Sequence, residues 1–349
     1  MEICTNCTGI ETIQDQGVVL LKSLDGEPPQ LPASLGSWMS DSRKPQHYSL
    51  QYSSIEQLIE LLKLLEASAS VTSHEGIEVN ISGTTHSNRP AVDPKFHSLS
   101  LYLSRIRHHN LISIIQDAEF ASYMQPIFDA QSTGLYGYEF LLRSLPTGRD
   151  FSPFELFKVA QETGLHSFLD RQARISAVHT SSTYLPQGLK RFINFLPSSI
   201  YNPNFCLSHT FKAIDRTQQD PKDFVFEVVE TERIVDIHHL QNIFKKFKEY
   251  GMKVALDDVG IGFSTVDTIS RLAPDIVKID RNLISLCDSN ENKLHKIKEI
   301  VDVSKLHGAL ILAEGIERAE EWVACKSLGV QLVQGYLFGK PLAVPISLV

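Results

Sequence analysis

VALDDVGIGFST, residues 254–265, ends an apolar run on two adjacent carboxylates, Asp257 and Asp258. Val254, Ala255 and Leu256 form a short continuous apolar run followed by glycines, the pattern of a strand buried in a core. Neighbouring carboxylates at the mouth of such a strand repel each other and resist desolvation. They therefore call for a cation, or for one carboxyl to stay protonated.

Working outward, the same rhythm recurs. Strand-like runs begin at Met124 (MQPIF), Tyr136 (YGYEFLL), Phe192 (FINFL) and Phe224 (FVFEVVE), and after VALDDV at Asp275 (DIVKID), Ala309 (ALILAEGI) and Leu332 (LVQGYLF). Amphipathic helix-like stretches over 153–179, 238–250, 292–307 and 318–328 separate most of them. Strands alternating with helices imply βα units around a mainly parallel sheet. About eight strands over this length suit a β/α barrel, and on pattern alone an open doubly wound sheet fits as well. We assign the α/β barrel to residues 116–349.

Residues 1–115 have another texture. Pro, Ser and Gly crowd 26–45 and 75–94, where a strand-like piece, 77–81, interrupts the second stretch. Residues 55–65, IEQLIELLKLL, carry apolar side chains at helical spacing and are expected to pack in a core. Residues 96–120 read as mostly helical. The expectation is a smaller N-terminal α+β module with a regulatory role.

Composition sets outer limits. A chain of 349 residues with 42% hydrophobic and 21% charged content builds a sizeable soluble core, and a net charge of −8 opposes a general affinity for nucleic-acid polymers. No run reaches the roughly 18 apolar residues of a membrane span. The first residues, MEICTNCTGIETIQ, lack the basic and apolar parts of a secretory signal. Five cysteines, an odd number, fit a reducing compartment, so the expected location is cytoplasmic. Cys4 and Cys7 form a single CxxC, read as an N-terminal turn. Lys245, Lys246 and Lys248 are read as a solvated helix face.

Polar residues stand at or near the ends of the strand-like runs: Glu139, Asn194, Glu227 with Glu230, Asp257 with Asp258, Lys278 with Asp280, Glu314 with Glu317, and Gln334. In a barrel these ends share one mouth. Any one of them could cap a helix, but together they read as a site. Oxygen donors without His or Cys favour Mg²⁺ or Mn²⁺ over Zn²⁺. A bridging carboxylate such as Asp257 could hold two ions about 3.5–4 Å apart, as in phosphoester hydrolysis. Metal-assisted proton abstraction of the enolase type fits the same residue types.

QPIFDAQSTGLYGYEFLLR, INFLP, FEVVETE, VALDDVGIGFST, PDIVKID, AEGIE and QGYLFGKPL occur in this order between Ser122 and Leu342. In order and spacing they resemble the EAL domain, a family of bacterial phosphodiesterases that open cyclic di-GMP to a linear dinucleotide. The resemblance implies a TIM-like barrel, two Mg²⁺ or Mn²⁺ ions, and cyclic di-GMP as partner, with a homodimer through the barrel. By the same resemblance Glu139, Asn194, Glu227 and Asp257 would hold the first ion, and Asp257 and Asp258 the second. Glu314 would be a ligand or the base acting on water, and Lys278 would hold that water. Arg143 would pair a substrate phosphate, with Gln125 and Gln334 supporting the substrate. Glu230 would anchor the loop after Asp258, while Asp280 and Glu317 would be structural. The sequence departs from the family at Phe140, where Ala is usual, at Ser144, and at Val259 and Ile261. These departures motivate the alternative of an EAL-type receptor or protein-interaction module without catalysis.

Overall fold

A computed structural model of the chain describes residues 13–23, 28, 30–42, 44–69, 77–83, 96–229, 236–260 and 265–345. The chain divides into two compact units, one taking in Ala118–Pro153 and Ser167–Val349, the other Gly9–Asp117 and Phe154–His166.

In the second unit, strands β1 (Gly17–Ser23), β2 (Met39–Ser40), β3 (His47–Tyr52), β4 (Ile77–Gly83) and β5 (His97–Ser98) pair antiparallel in the order β2-β3-β1-β4-β5. Burial alternates along β1, as a sheet with one covered face requires. Val19 and Leu21 share a core with Leu58, Leu61, Leu62 and Leu65 of helix α1 (Ile55–Ala69) and with Leu99, Tyr102 and Leu103 of α2 (Leu99–Arg107). The apolar stripe of residues 55–65 is therefore core, as its spacing predicts. Helix α3 (His109–Gln116) follows. The stretch read as one helix over 153–179 is two, α4 (Pro153–Glu162) and α5 (His166–Tyr184), because Gly164 takes φ +76° between them. Arg105 of α2 donates from Nε and Nη2 to the Thr163 carbonyl, at 3.2 and 3.1 Å.

The first unit is a closed eight-stranded barrel. Its strands are β6 (Phe120–Asp129), β7 (Leu135–Ser144), β8 (Lys190–Asn194), β9 (Phe224–Val229), β10 (Lys253–Val259), β11 (Ile276–Ile279), β12 (Leu310–Ala313) and β13 (Leu332–Val333). From β7 to β13 all neighbours are parallel, whereas β6 runs antiparallel to both β7 and β13. Only residues 130–134 join β6 to β7, too few for the dozen or more that a parallel crossover needs. Helices α6 (Pro203–Cys206), α7 (Ser208–Arg216), α8 (Ile237–Glu249), α9 (Thr265–Leu272), α10 (Arg281–Ile284), α11 (Glu291–Leu306) and α12 (Ala319–Leu328) complete the unit. Outward-facing strand residues such as Ile193, Val228, Leu256, Val277 and Ala313 join Leu240, Phe244, Ile297 and Val301 of the helices in one large core.

Candidate active site

Strand periodicity places the site. Ile127, Phe192, Val225, Ala255, Ile276, Leu312 and Leu332 form a separate apolar cluster inside the barrel, one from each of seven strands. Two residues toward the mouth on the same strands stand Gln125, Asn194, Glu227, Asp257, Lys278, Glu314 and Gln334. Side chains two apart share a face, so the polar set forms the next layer above the apolar plug. On β6 the step runs backward, from Ile127 to Gln125, because that strand is reversed. On β7 the step runs from Gly137 to Glu139. Gly137 fills no layer position, since a Cβ there would lie 2.2 Å from the Lys190 carbonyl oxygen.

Lys278 is fully buried at the centre of this layer. Its ammonium lies 2.7 Å from Glu314 Oε1, 2.8 Å from Glu227 Oε2, 2.9 Å from Asp257 Oδ2 and 3.6 Å from Glu139 Oε1. Asn194 Nδ2 donates to Glu139 at 3.2 Å and to Glu227 at 2.9 Å, and Gln334 Nε2 donates to Glu139 Oε2 at 2.7 Å. Gln125 pairs with Glu139 across β6 and β7 and donates to the Gly339 carbonyl at 3.3 Å.

Asp257 and Asp258 both serve this cavity, although consecutive strand residues normally point to opposite faces. The register between β10 and β11 shifts between Leu256 and Val259, and Asp258 takes a left-handed φ of +55°. This bulge admits one extra residue and restores the alternation beyond it, where Val259 is fully buried in the outer core. Carboxylate oxygens of Asp257, Asp258 and Glu314 thereby come within 4.8 Å of one another, as do those of Glu139, Glu227 and Asp257.

The electrostatics follow from the crowding. Burial alone would pull the Lys278 ammonium down, but Asp257, Glu139, Glu227 and Glu314 hold it well above its ordinary value. Burial pushes Glu227 and Glu314 well above the usual carboxylate range, against the pull of Lys278. Burial works on Glu139 too, but Lys278 and the Gln334 amide outweigh it and leave that carboxyl lowered. Burial, then Asp257 and Asp280, push Asp258 up to about 6.

The two oxygen groups contain five carboxylates, four of which contact the Lys278 ammonium. Glu227 Oε2 accepts no well-angled hydrogen bond despite its closeness to Lys278, and Gln334 Oε1 is buried without a partner. Surplus negative charge, hard oxygen donors and the unpartnered Gln334 oxygen beside Glu139 fit divalent cations of the Mg²⁺ or Mn²⁺ kind.

Arg143 lies four residues beyond Glu139 on β7, on the same face and nearer the mouth, and its Nη1 donates to the Leu142 carbonyl at 2.8 Å. Asp280 caps α10 by accepting from Asn282 N at 2.6 Å, a structural part of the kind expected for it. Glu317 precedes α12, and its backbone N–H donates to Glu321. Glu230, Ile261, Cys4 and Cys7 lie outside the described residues. Phe140 faces away from the site, buried in the outer core beside inward-facing Glu139, so its bulk meets helices rather than the cavity. Ser144 donates to Asp150 at 3.0 Å.

One supporting group went unread in the sequence. Asp170 of α5, buried, accepts from Arg174 Nη2 at 2.9 Å, from the Leu196 backbone at 2.9 Å and from Ser199 Oγ at 2.5 Å. It thus ties the segment just after Asn194 to α5. Its signal was the i, i+4 spacing of Asp170 and Arg174 within LDRQAR.

A sequence model of the EAL domain matches residues 107–341. The cyclic di-GMP phosphodiesterase PdeL of Escherichia coli (strain K12) is 25% identical over 254 residues, which are 69% of this chain and 69% of PdeL. The cyclic di-GMP phosphodiesterase PdeF of the same strain is 27% identical over 241 residues, 67% of this chain. The chain spans 31% of the length of PdeF. A standalone EAL protein from Vibrio cholerae O395, solved in its c-di-GMP-bound form, superimposes with a TM-score of 0.58 at 30% identity, covering 64% of this chain and 92% of that one.

Proposed function

The chain belongs to the EAL domain family, and on that premise we propose that its barrel hydrolyses one phosphodiester bond of cyclic di-GMP, giving the linear dinucleotide. The observation that carries this reading is the pair of oxygen groups that share Asp257 beside a buried, charged Lys278. Glu139, Asn194, Glu227 and Asp257 would hold one Mg²⁺ or Mn²⁺ ion, and Asp257, Asp258 and Glu314 the other. Such ions, when bound, sharpen water as a nucleophile and offset charge on the phosphate.

The chain's own residues have the remaining tasks. Lys278, kept charged by its carboxylate neighbours, fixes Asp257, Glu227 and Glu314 and orients the attacking water. Glu314, 2.7 Å from Lys278, would take the water's proton as the new P–O bond forms. The bond to the leaving ribose oxygen breaks in the same displacement, and that oxygen gains a proton. Arg143 offers a planar fork to a phosphate at the mouth. Gln334 braces Glu139, and Gln125 with Gln334 would support the substrate side of the layer. Glu230 keeps its proposed role of anchoring the segment after Asp258.

The reading also includes a regulatory N-terminal module ahead of a barrel beginning near residue 116, and a homodimer through the barrel, which sedimentation velocity tests. A cytoplasmic location is supported by three buried cysteines, Cys206, Cys287 and Cys325, that form no disulfide among the described residues. No described helix is long and apolar enough to cross a membrane.

The test is incubation of the full chain with cyclic di-GMP and Mn²⁺, with products resolved by chromatography and a parallel sample in excess chelator. Linear product only where the cation is free supports the proposal. Tight binding without product in either sample would favour the receptor reading.

A further inference from the structure

We propose that Lys296 is a positioning residue for the Asp257–Asp258 pair, clamping the backbone just beyond the bulge so that both carboxylates face one cation site. The inference rests on the two-cation reading above.

A left-handed Asp258 followed by Gly260 at φ +116° is a conformation that only its surroundings can enforce. Four ties supply that enforcement. Asp258 N–H donates to Asp257 Oδ1 at 2.8 Å, and Asp280 N–H donates to the Val259 carbonyl at 3.1 Å. Val259 is sunk in the outer core, and Leu283 and Ile300 pack so closely on Gly260 that a Cβ there would come 2.9 Å from Leu283. The fourth tie is Lys296 of α11, whose ammonium donates to the Gly260 carbonyl at 2.7 Å.

This fourth tie differs in kind. Lys296 is an exposed residue, while Gly260 is buried, so a surface side chain reaches in to fix an interior carbonyl. A charged donor on a carbonyl makes a stronger bond than a neutral one. Lys293, one residue triplet earlier on α11, does the same for the segment after β11, donating to the Asn282 and Ser285 carbonyls at 2.6 Å each. Helix α11 thus presents a row of ammonium groups to the segments that follow Asp258 and Lys278. Lys298 lies on the same helix but, among the described residues, pairs with Asp302 one turn on.

The experiment is calorimetric titration of the full chain with Mn²⁺ alone at neutral pH, on the parent, Lys296→Met, Lys296→Arg and Lys298→Met. The parent should take up two ions. Lys296→Met should weaken one of them by about tenfold and leave the other within about twofold, as loss of an outer partner does at metal sites. Its thermal midpoint should fall modestly, since the buried Gly260 carbonyl loses its charged donor. Lys296→Arg should recover most of the loss, and Lys298→Met should match the parent. Unchanged affinities in Lys296→Met, or equal weakening in Lys298→Met from lost long-range charge, would overturn the positioning role. A parent that binds fewer than two ions would overturn the two-cation reading, and this inference with it.

Discussion

Replacing Lys278 by Met keeps the length and flexibility of the side chain and deletes the one positive charge among the buried carboxylates. Three of its contacts lie between 2.7 and 2.9 Å. At an effective dielectric of about 20, each is worth about 6 kcal/mol in Coulomb terms, before the cost of taking the charges out of water. Breaking a buried pair by removing one partner costs about 3–5 kcal/mol net, and that is the destabilisation expected for Lys278→Met in chelator at pH 8. The penalty should depend on pH. Lys278 lowers the carboxyl pKa values of Glu139, Glu227 and Glu314, so its loss shifts all three upward in the folded state. The folded variant then binds more protons than the unfolded chain, so its stability falls as pH rises and recovers on acidification. Urea unfolding at pH 5.5 and pH 8, with and without Mn²⁺, measures this. The deficit should shrink at the lower pH and shrink again when the cation is added. An equal deficit under all conditions would mean that Lys278 contributes packing alone, and would refute the electrostatic account of the site.

Asp257→Asn removes charge from the residue shared by both oxygen groups, so Mn²⁺ uptake should fall at both positions and turnover should be lost; full activity would sink the shared-ligand arrangement. Cations compete with a proton at Asp258, which titrates at about 6, so apparent Mn²⁺ affinity should fall as pH drops from 7.5 to 5. Calorimetry across that range checks it, and a flat profile would count against Asp258 as a ligand. Phe140→Ala empties an outer-core position, so urea unfolding should show a loss of about 3–5 kcal/mol while Mn²⁺ affinity stays unchanged. A large change in cation affinity would place Phe140 nearer the site than its packing indicates.

Much of this arrangement was legible because alternation along a strand is a strong local signal. Each apolar run named its strand, and the polar residue near its end named the mouth-side layer. The same alternation already implied that Phe140, next to Glu139, faces outward, so its departure from the family pattern says little about catalysis. The reversal of β6 was readable from the short connection after Asp129, yet βα rhythm elsewhere drew attention from it. The break at Gly164 was masked by helical spacing on both sides. The bulge at Asp258 had no local signature: both aspartates read as parts of one site, but strand alternation cannot turn consecutive side chains to one face, and only the register with β11 shows how they share it. Lys296 was likewise invisible, because a lysine on an exposed helix turn carries no sign of which carbonyl it reaches.

Phosphorus NMR of cyclic di-GMP incubated with the full chain and diamagnetic Mg²⁺ tests the central claim most directly. Opening one of the two phosphodiesters must convert the diester signal into equal monoester and diester signals, and Asp257→Asn should leave it untouched. A diester signal that persists while the parent chain demonstrably binds both the dinucleotide and Mg²⁺ would contradict hydrolysis and leave a receptor.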